Sequence, residues 1–349
     1  MQSKNQMIKI LVSDTAYAQL MSAHTAFSPW VHQTHFEFIP VSKVQVGEDI
    51  HVGFISRDVT GKSTKSETLP DTKAFYDRLL NSKCLKWVHI HSAGADRPIY
   101  KALTQGGASL TTSFGANAKI VAQTALAAVL ALNRNLLPLA QAQRAHQWTP
   151  LVGSSIKTLD LEGQRALIVG RGPVGVAITN YLNAVGMHCE QIRFREIQDP
   201  PLLSTEGVQS ISNEIATHHY TQIEEVLPSV QWLILACPLT PQSKHLIDIH
   251  KLSLLPRGAH VINVARGEVM VESDLVLALQ SGHLGGAYLD VFEVEPLPKT
   301  SPLWDMNNVI VTPHSAGHSQ GNEGRVQEQF LNNLVRFLAS EPLMHLALI

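Results

Sequence analysis

One stretch of this sequence restricts its fold strongly: an apolar run that leads into a glycine-rich turn and then into a helical pattern. The apolar run covers 166–169, the turn carries Gly170, Gly172 and Gly175, and the helical pattern ends at Gly186. In a strand–turn–helix unit of this kind the first glycine permits a tight turn and the second lets backbone amides approach a pyrophosphate. The third lets the helix pack closely on the strand. The sequence therefore predicts a dinucleotide-binding unit here, in preference to an ordinary glycine turn.

The composition excludes several classes of protein. With 349 residues, 44% of them hydrophobic, and a net charge of −2, the chain is large enough for two globular domains. Basic residues are scattered, so the electrostatic footprint of a nucleic-acid-binding protein is missing. We see neither a secretory signal pattern nor an apolar segment long enough to span a bilayer. We expect a cytoplasmic enzyme that binds neither nucleic acid nor membrane.

The three cysteines do not suggest a metal site or a disulfide framework. Cys84, Cys189 and Cys237 are widely spaced, without a CxxC pair or a His/Cys grouping. We expect reduced thiols in the core and no bound metal.

Strands that alternate with helices predict parallel, doubly wound sheets. Before the glycine turn, strands are expected at 8–12, 37–41, 51–55 and 85–90. After it, they are expected at 189–194, 232–236, 260–264, 286–291 and 309–312. Helical periodicity predicts a long helix over about 118–147, able to cross between two lobes, then a linker at 149–153 and a final amphipathic helix over about 322–339.

These elements predict an α/β chain with two Rossmann-like domains, one flavodoxin-like and one dinucleotide-binding. We place the dinucleotide-binding Rossmann domain at 119–318. The substrate (catalytic) domain is discontinuous, at 1–118 and 319–349, because the final helix is expected to return to the first lobe.

Three strings in the second half are more specific than the glycine motif. They are INVARG at 262–267, GGAYLDVFEVEP at 285–296 and VTPH at 311–314, and CPLTP precedes them at 237–241. In this order after the glycine turn, they closely resemble the D-isomer-specific 2-hydroxyacid dehydrogenase family, over about 92–343. The resemblance implies an oxidoreductase with a nicotinamide cofactor and a small 2-oxo or 2-hydroxy acid substrate.

The resemblance also assigns three catalytic residues: Arg266, Glu295 and His314. A guanidinium can form a bidentate ion pair with a carboxylate and also polarise the neighbouring carbonyl oxygen. A lysine ammonium does both less well. A protonated imidazole at His314 can give a proton to that oxygen as hydride arrives. A carboxylate from Glu295 on the far ring nitrogen would fix the tautomer and favour the imidazolium. Without the resemblance, each of the three has a non-catalytic interpretation. Arg266 could be a surface arginine, Glu295 could be a solvated loop acid, and His314 is one of 17 histidines.

Substrate carboxylate binding is assigned by resemblance to backbone amides of a loop after a first-lobe strand, at Ser92, Ala93 and Gly94. Small side chains there leave room for close approach, and an ordinary strand-to-helix turn is the alternative. The role of the adjoining His91 stays open. Two further histidines are expected at the surface: His218 and His219.

The cofactor preference depends on the end of the strand after the glycine turn. An NAD site places an acid about 20 residues beyond the glycines, and here the family's acidic position falls on Arg193, with Arg195 close behind. Because guanidiniums pair with a 2′-phosphate, we predict that NADP(H) is preferred, with NAD(H) possible. Glu190 competes for the acidic role, but we expect it in mid-strand.

Other cofactor contacts follow from the resemblance. Pro173 suits the first helical turn, where its missing N–H needs no partner. Asp290 is assigned to the nicotinamide carboxamide, with a turn cap as the alternative. The full set of predicted contacts is Gly170, Gly172, Pro173, Val174, Gly175, Arg193, Arg195, Cys237, Pro238, Val264, Ala265 and Asp290.

Together these assignments predict an NADPH-dependent reductase of a small 2-oxo acid, of the glyoxylate or hydroxypyruvate type, that makes the D-2-hydroxy acid. One alternative is an NAD-dependent dehydrogenase working in the oxidative direction. Another is a nucleotide-sensing, corepressor-like interaction protein on the same fold. Family members pair through the nucleotide lobe, and an apolar helix over 120–137 would suit a buried face, so we expect a homodimer.

Overall fold

The chain folds into two compact units, which we call the first and second unit. The computed structural model describes residues 7–23, 36–61, 63, 67–151, 158–194 and 215–347. The first unit comprises Met1–Ala116 and Ser319–Ile349, and the second comprises Asn117–His318. The chain thus passes between units at 116/117 and 318/319, where the sequence predicted 118/119 and 318/319.

The first unit contains a five-stranded parallel sheet. Its strands are β1 (Ile8–Val12), β2 (Phe36–Pro40), β3 (Val52–Ile55), β4 (Trp87–Ile90) and β5 (Ser109–Thr112). They lie in the order β2-β1-β3-β4-β5, and every pair is parallel. This is the flavodoxin-like order, with its topological switch point between β1 and β3.

The second unit contains a seven-stranded parallel sheet. Its strands are β6 (Arg165–Val169), β7 (His188–Arg193), β8 (Thr217–His219), β9 (Trp232–Leu235), β10 (Ala259–Asn263), β11 (Leu284–Leu289) and β12 (Val309–Val311). They lie in the order β12-β11-β10-β9-β6-β7-β8. With β6 counted as the first strand, this is the 3-2-1-4-5-6 order of dinucleotide-binding folds, extended by one strand. The predicted fold class is confirmed for both units.

Helices connect these strands. They are α1 (Asp14–Ala23), α2 (Arg57–Thr60), α3 (Pro70–Leu80), α4 (Pro98–Gln105), α5 (Ala118–Asn133), α6 (Leu136–Arg144), α7 (Pro173–Ala184), α8 (Ile223–Val226), α9 (Ile249–Leu254), α10 (Glu272–Gln280) and α11 (Asn322–Leu338). The amphipathic α11 belongs to the first unit, where Phe330 is fully buried and stacks on Phe54 with ring centroids 4.3 Å apart.

The prediction of one long helix over about 118–147 is wrong. Two helices, α5 and α6, occupy this segment, and their axes differ by 70°. Asn135 between them has a left-handed φ of 54°. In a continuous helix the ring of Pro138 would clash with the carbonyl of residue 134, whereas it is tolerated in the first turn of a new helix. Both helices lie in the second unit, so neither crosses between lobes.

Among the residues that the structure describes, no single helix has the length and apolar character to cross a membrane. The bent pair α5 and α6 meets those criteria only when the two helices are counted together.

Every predicted strand is present to within two residues, but the sheets contain two more, β5 and β8. Both are short and rich in polar residues, so they lack a clear apolar alternation. β8 carries His218 and His219, for which the sequence predicts a surface position and which are partly exposed. Both are half-buried, and His218 Nε2 lies 2.7 Å from Glu190 Oε2.

The three cysteines are free. Cys189 and Cys237 are buried as predicted, and burial raises the pKa of each thiol to about 12. Cys84 is only half-buried, because it lies in the turn that precedes β4 rather than in a strand. Within the described ranges, no group of His, Cys, Asp and Glu side chains could hold a metal ion.

Candidate active site

The glycine turn after β6 is packed so tightly that two of its positions admit only glycine. Gly170 has a φ of +122°, and a Cβ there would lie 2.6 Å from the carbonyl oxygen of Ala236. A Cβ on Gly175 would lie 1.9 Å from the carbonyl oxygen of Gly170. The first and third glycines therefore have the turn and packing roles that the sequence suggested.

The same turn offers an anion site at the start of α7. Gly172 is the N-cap, and Pro173 is the first helical residue. The next amides, at Val174 and Gly175, have no acceptor within the helix, and the positive end of the helix dipole lies there. This donor set fits the pyrophosphate of a dinucleotide.

Arg193 is the last residue of β7, at the carboxyl end of the strand. Glu190 lies three residues earlier and is bonded to Arg165 and, through its other oxygen, to His218. Burial alone would raise the pKa of Glu190, but the hydrogen bonds from Arg165 and His218 lower it below its usual value. Glu190 is thus an ionised, mid-strand group with its oxygens engaged. Arg195 lies outside the described residues.

The loop after β10 carries Arg266 and is held by the last residue of the strand. Asn263 Oδ1 accepts a hydrogen bond from the Ala265 amide at 3.0 Å, and its Nδ2 donates to the Arg266 carbonyl at 3.1 Å. The Arg266 guanidinium donates to the Ala265 carbonyl at 2.7 Å. We call these two hydrogen bonds of the Asn263 side chain the clamp. They lie within the INVARG string and hold the backbone at residues 265 and 266, which carries the arginine side chain.

Gly267 packs this loop against the segment that leads to Glu295. A Cβ on Gly267 would lie 1.9 Å from the backbone carbon of Phe292, a contact that only glycine avoids. The arginine loop and the glutamate loop are therefore in direct backbone contact.

A second tie, which sequence reasoning missed, holds the glutamate loop to the start of α10. The Glu272 amide donates to Glu293 Oε1 at 3.1 Å, and the Glu293 amide donates to Glu272 Oε2 at 3.2 Å. Burial raises the pKa of Glu272. Nothing in the local sequence pattern pairs these two glutamates, since Glu272 begins a helix and Glu293 lies in a loop 21 residues later.

Glu295 and His314 meet directly. His314 Nδ1 lies 2.9 Å from Glu295 Oε2, and Glu295 Oε1 accepts from the Phe292 amide at 3.2 Å. The side chains are 44% and 30% exposed, so the pair is open to a ligand. His314 has a left-handed φ of 50°, a strained conformation of the kind that persists where surrounding contacts enforce it, often at functional sites. With Nδ1 on the carboxylate, Nε2 is the nitrogen left for a substrate oxygen.

Asp290 supplies the contacts that enforce this turn. Its Oδ1 accepts from Thr312 Oγ1 at 2.6 Å and from the Ser315 amide at 2.8 Å, and its Oδ2 accepts from the Ala316 amide at 2.9 Å. Its carbonyl accepts from the His314 amide at 2.8 Å. The side chain is only 3% exposed. Asp290 is thus the cap of the histidine turn, and its contact with the nicotinamide carboxamide stays a prediction.

The remaining predicted cofactor residues follow strands of the same sheet. Cys237 and Pro238 come after β9, and Val264 and Ala265 come after β10. Because all strands are parallel, these positions share the carboxyl edge of the sheet with the glycine turn. This edge is where open α/β sheets bind ligands.

In the first unit, Ser92, Ala93 and Gly94 form the loop after β4, as predicted from the strand. Ser92 Oγ donates to the Gly94 carbonyl at 2.7 Å, which closes the loop on itself. The Ser92 carbonyl accepts from the Ser113 amide at 3.0 Å. The loop is thereby closed by an internal hydrogen bond and tied at Ser92 to the segment that follows β5.

Two histidines near this loop are neutral. His89 is fully buried between Thr111 Oγ1 at 2.8 Å and Ser113 Oγ at 3.1 Å, and burial lowers its pKa to about 3. His91 lies 3.0 Å from Thr60 Oγ1. Burial, followed by the charge of Arg57, lowers its pKa to about 4. His89 is a core residue, whereas His91 lines a small cavity of the first unit together with Phe54 and Ser56.

Comparison with known proteins gives a consistent result. Residues 126–316 match the family model described as D-isomer specific 2-hydroxyacid dehydrogenase, NAD binding domain. A glyoxylate/hydroxypyruvate reductase B from Enterobacter sp. (strain 638) is 31% identical over 218 residues, 62% of this chain and 64% of that protein. A glyoxylate reductase from Thermofilum pendens is 30% identical over 258 residues, 74% of this chain and 73% of that protein.

Solved structures agree over the length of the chain. A D-isomer specific 2-hydroxyacid dehydrogenase from Xanthobacter autotrophicus Py2, in complex with NADPH and MES, has a TM-score of 0.71 and 26% identity, with 98% of each chain covered. An NADPH-dependent glyoxylate/hydroxypyruvate reductase from Sinorhizobium meliloti, in complex with NADP and sulfate, has a TM-score of 0.71. At 21% identity, with 98% of each chain covered, this second likeness shows the fold alone.

Proposed function

Because this chain belongs to the D-isomer specific 2-hydroxyacid dehydrogenase family, we propose that it reduces a small 2-oxo acid to the D-2-hydroxy acid. The substrate is of the glyoxylate or hydroxypyruvate type, since relatives carry those names. The second unit, which contains the matched NAD-binding domain, is the dinucleotide-binding domain of this proposal, and the first unit is the substrate domain.

Arg266 binds the substrate in this proposal. Its planar guanidinium pairs with the carboxylate and polarises the adjacent carbonyl oxygen, a geometry that favours arginine over lysine. The clamp from Asn263 supports this role because it determines the backbone path at the arginine. In the first unit, the amides of Ser92, Ala93 and Gly94 are proposed as substrate-binding groups.

His314 is the general acid, and its hydrogen bond to Glu295 is the observation that carries the proposal. A bound nicotinamide cofactor supplies the hydride. As negative charge develops on the carbonyl oxygen, His314 Nε2 gives that oxygen a proton, while the carboxylate 2.9 Å from Nδ1 stabilises the imidazolium. General acid catalysis of this kind is worth about 10² to 10⁴ in rate, or roughly 3 to 5 kcal/mol of barrier.

NADPH is the preferred cofactor in this proposal. Arg193 lies at the strand tip, and a guanidinium there favours a 2′-phosphate over a bare ribose. Glu190 is engaged by Arg165 and His218, which supports its exclusion as the ribose ligand. The Xanthobacter neighbour, solved with NADPH, supports the same choice.

A homodimer is proposed through the second unit. Three large apolar side chains of that unit are exposed on and after α5 and α6, namely Leu130, Leu136 and Trp148. Light scattering at several protein concentrations tests this, and a mass of one chain throughout would contradict it.

A panel of small 2-oxo acids assayed with NADPH and with NADH tests the proposed function. We expect oxidation of NADPH with glyoxylate or hydroxypyruvate, and a higher kcat/KM for NADPH than for NADH. A preference for NADH would overturn the cofactor assignment. Absence of turnover on the whole panel, with NADPH still bound, would instead favour a nucleotide-sensing protein.

A further inference from the structure

One peptide unit of the glutamate loop, between Phe292 and Glu293, is held from two sides. A Cβ on Gly267 would lie 1.9 Å from the carbonyl carbon of Phe292 and 2.3 Å from the amide nitrogen of Glu293, so the arginine loop packs directly on this peptide. The same amide donates to Glu272 Oε2 at 3.2 Å. Because a peptide unit is planar, it cannot rotate here without losing the packing or the hydrogen bond.

The same segment holds the carboxylate of Glu295. The Phe292 amide, in the preceding peptide unit, donates to Glu295 Oε1 at 3.2 Å, and Glu295 Oε2 lies 2.9 Å from His314 Nδ1. Phe292 joins the two peptide units and is itself 5% exposed. A rotation of the second unit would therefore change the path of the chain that carries Glu295 toward His314.

Glu272 stands on a firm part of the second unit. Just before it, the Val271 amide donates to the Ile247 carbonyl at 2.9 Å, and the Ile247 amide donates to the Val269 carbonyl at 3.2 Å. Ile247 and Val269 are fully buried. Residues 290–300, by contrast, belong to no strand or helix. Glu272 therefore gives this irregular segment a fixed point in the core of the unit.

The contact is reciprocal, because the Glu272 amide donates in return to Glu293 Oε1 at 3.1 Å. Glu272 is the first residue of α10, where amides have no acceptor within the helix, and the N-cap, Val271, has no polar side chain. His245 Nε2 lies 3.8 Å from the same Glu293 oxygen. A glutamine in place of either glutamate would keep an acceptor oxygen and remove the charge.

We propose that Glu272 is a positioning residue for the reaction: through the Glu293 amide it holds the glutamate loop in the path that places the Glu295 carboxylate on His314 Nδ1. The inference rests on the proposed function and adds to it a residue that acts through Glu295. Without this hold the carboxylate would leave Nδ1 part of the time. The imidazolium would then be stabilised less, since a nearby opposite charge favours the charged form.

Steady-state kinetics over a range of pH test the inference with Glu272→Ala and Glu272→Gln. The alanine variant should lower kcat about tenfold, near the net value of one hydrogen bond, with each KM within about twofold of wild type. Because a general acid must be protonated, the high-pH limb of kcat/KM should move about one unit to lower pH. Glutamine should restore both. Glu225→Ala, at an exposed acid in the first turn of α8, is the matched control.

A double variant tests whether Glu272 acts through Glu295. In the background of Glu295→Gln, Glu272→Ala should change kcat by less than about twofold, because two residues that act as one unit do not have additive effects. Glu293→Ala removes the return hydrogen bond at a side chain that is 35% exposed. It should move the high-pH limb in the same direction, and it decides the matter if Glu272→Ala fails to fold.

The outcomes separate this inference from the proposed function. Additive losses in the double variant, or a lower kcat with an unmoved high-pH limb, would overturn the inference and leave the contact as a helix cap only. Wild-type kcat in both alanine variants would overturn it as well. Absence of turnover by the wild type on the whole panel of 2-oxo acids would overturn the proposed function, and this inference with it.

Discussion

The described histidines of the first unit are kept neutral by burial, whereas the histidine on which the proposed chemistry depends, in the second unit, is exposed and paired with a carboxylate. All four described histidines of the first unit have a lowered pKa, with burial as the largest cause: His51, His89, His91 and His345. In the second unit, burial lowers the pKa of His260 to about 4. His314 lies 2.9 Å from Glu295 instead.

The difference shows two uses of one side chain. In the first unit, ring nitrogens of two histidines meet hydroxyl groups: His89 lies between Thr111 and Ser113, and His91 lies beside Thr60. Protonation there would place an unpaired charge in the core. In the second unit, His314 is 44% exposed and its Nδ1 lies 2.9 Å from a Glu295 oxygen, which is the arrangement that the proposed general acid needs.

Replacing the exposed histidine gives the largest expected effect. His314→Gln should lower kcat by about 10² to 10⁴, the value of a general acid, and leave the melting temperature and NADPH affinity nearly unchanged. His250→Gln, at an exposed histidine of the same unit, is the matched control. An unchanged kcat in the His314 variant would show that this exposed histidine is not the general acid, and the proposed difference in histidine use between the two units would then be lost.

Arg266→Lys is expected to have the next largest effect. Lysine keeps the charge but loses the planar fork, and a hydrogen bond to a charged group is worth about 1.5 to 3 kcal/mol. We expect kcat/KM for the 2-oxo acid to fall between about tenfold and about 100-fold. Arg257→Lys, at an exposed position of the same unit, serves as the control. Equal activity of the Arg266 variant and wild type would mean that the arginine does not bind the substrate.

Acid should destabilise the first unit before the second. Below pH 6.5 the unfolded His89 takes up a proton, while the folded form, with a pKa of about 3, does not. The stability that this histidine contributes is therefore present above pH 6.5 and lost as the pH falls, by roughly 2 kcal/mol between pH 6.5 and 5. The other three histidines act in the same direction.

Hydrogen exchange by mass spectrometry at pH 7 and pH 5, corrected for the intrinsic pH dependence of exchange, measures this effect in each unit. Protection in β4 should fall more than protection in β6, and His89→Gln should flatten the pH dependence in the first unit. A parallel loss in both units would contradict the account.

The smallest expected effect concerns the cofactor. Arg193→Ser removes a guanidinium from the tip of β7 and should lower the NADPH over NADH preference about tenfold, at the lower end of the value of a charged hydrogen bond. The ratio of kcat/KM values for the two cofactors is the readout, with Arg257→Ser at an exposed position of the same unit as a comparison. An unchanged ratio would place the 2′-phosphate elsewhere.

Most of the second unit could be predicted from its sequence because its functional loops depend on local rules. A Cβ would collide with backbone atoms at Gly170, Gly175 and Gly267. A glycine at each of these positions therefore indicates that two backbone segments pack closely there. Asn263 and Arg266 are near neighbours in one string, and their contact is local. The fold class and the strand positions follow from periodicity for the same reason.

The rest depends on contacts between distant segments. The cavity of the first unit joins residues near 56, 91 and 322, and no sequence pattern relates them. The tie between Glu272 and Glu293 is of the same kind. The break between α5 and α6 was readable in principle, since Pro138 lies inside the predicted helix.

The stereochemistry of the product tests the central claim most directly. Purified protein is incubated with hydroxypyruvate and NADPH. The two enantiomers of glycerate are separated by chiral chromatography, and their amounts are compared with the amount of NADPH consumed. We expect D-glycerate in an amount equal to the NADPH oxidised. Formation of the L-isomer, a racemic product, or no glycerate at all would contradict it.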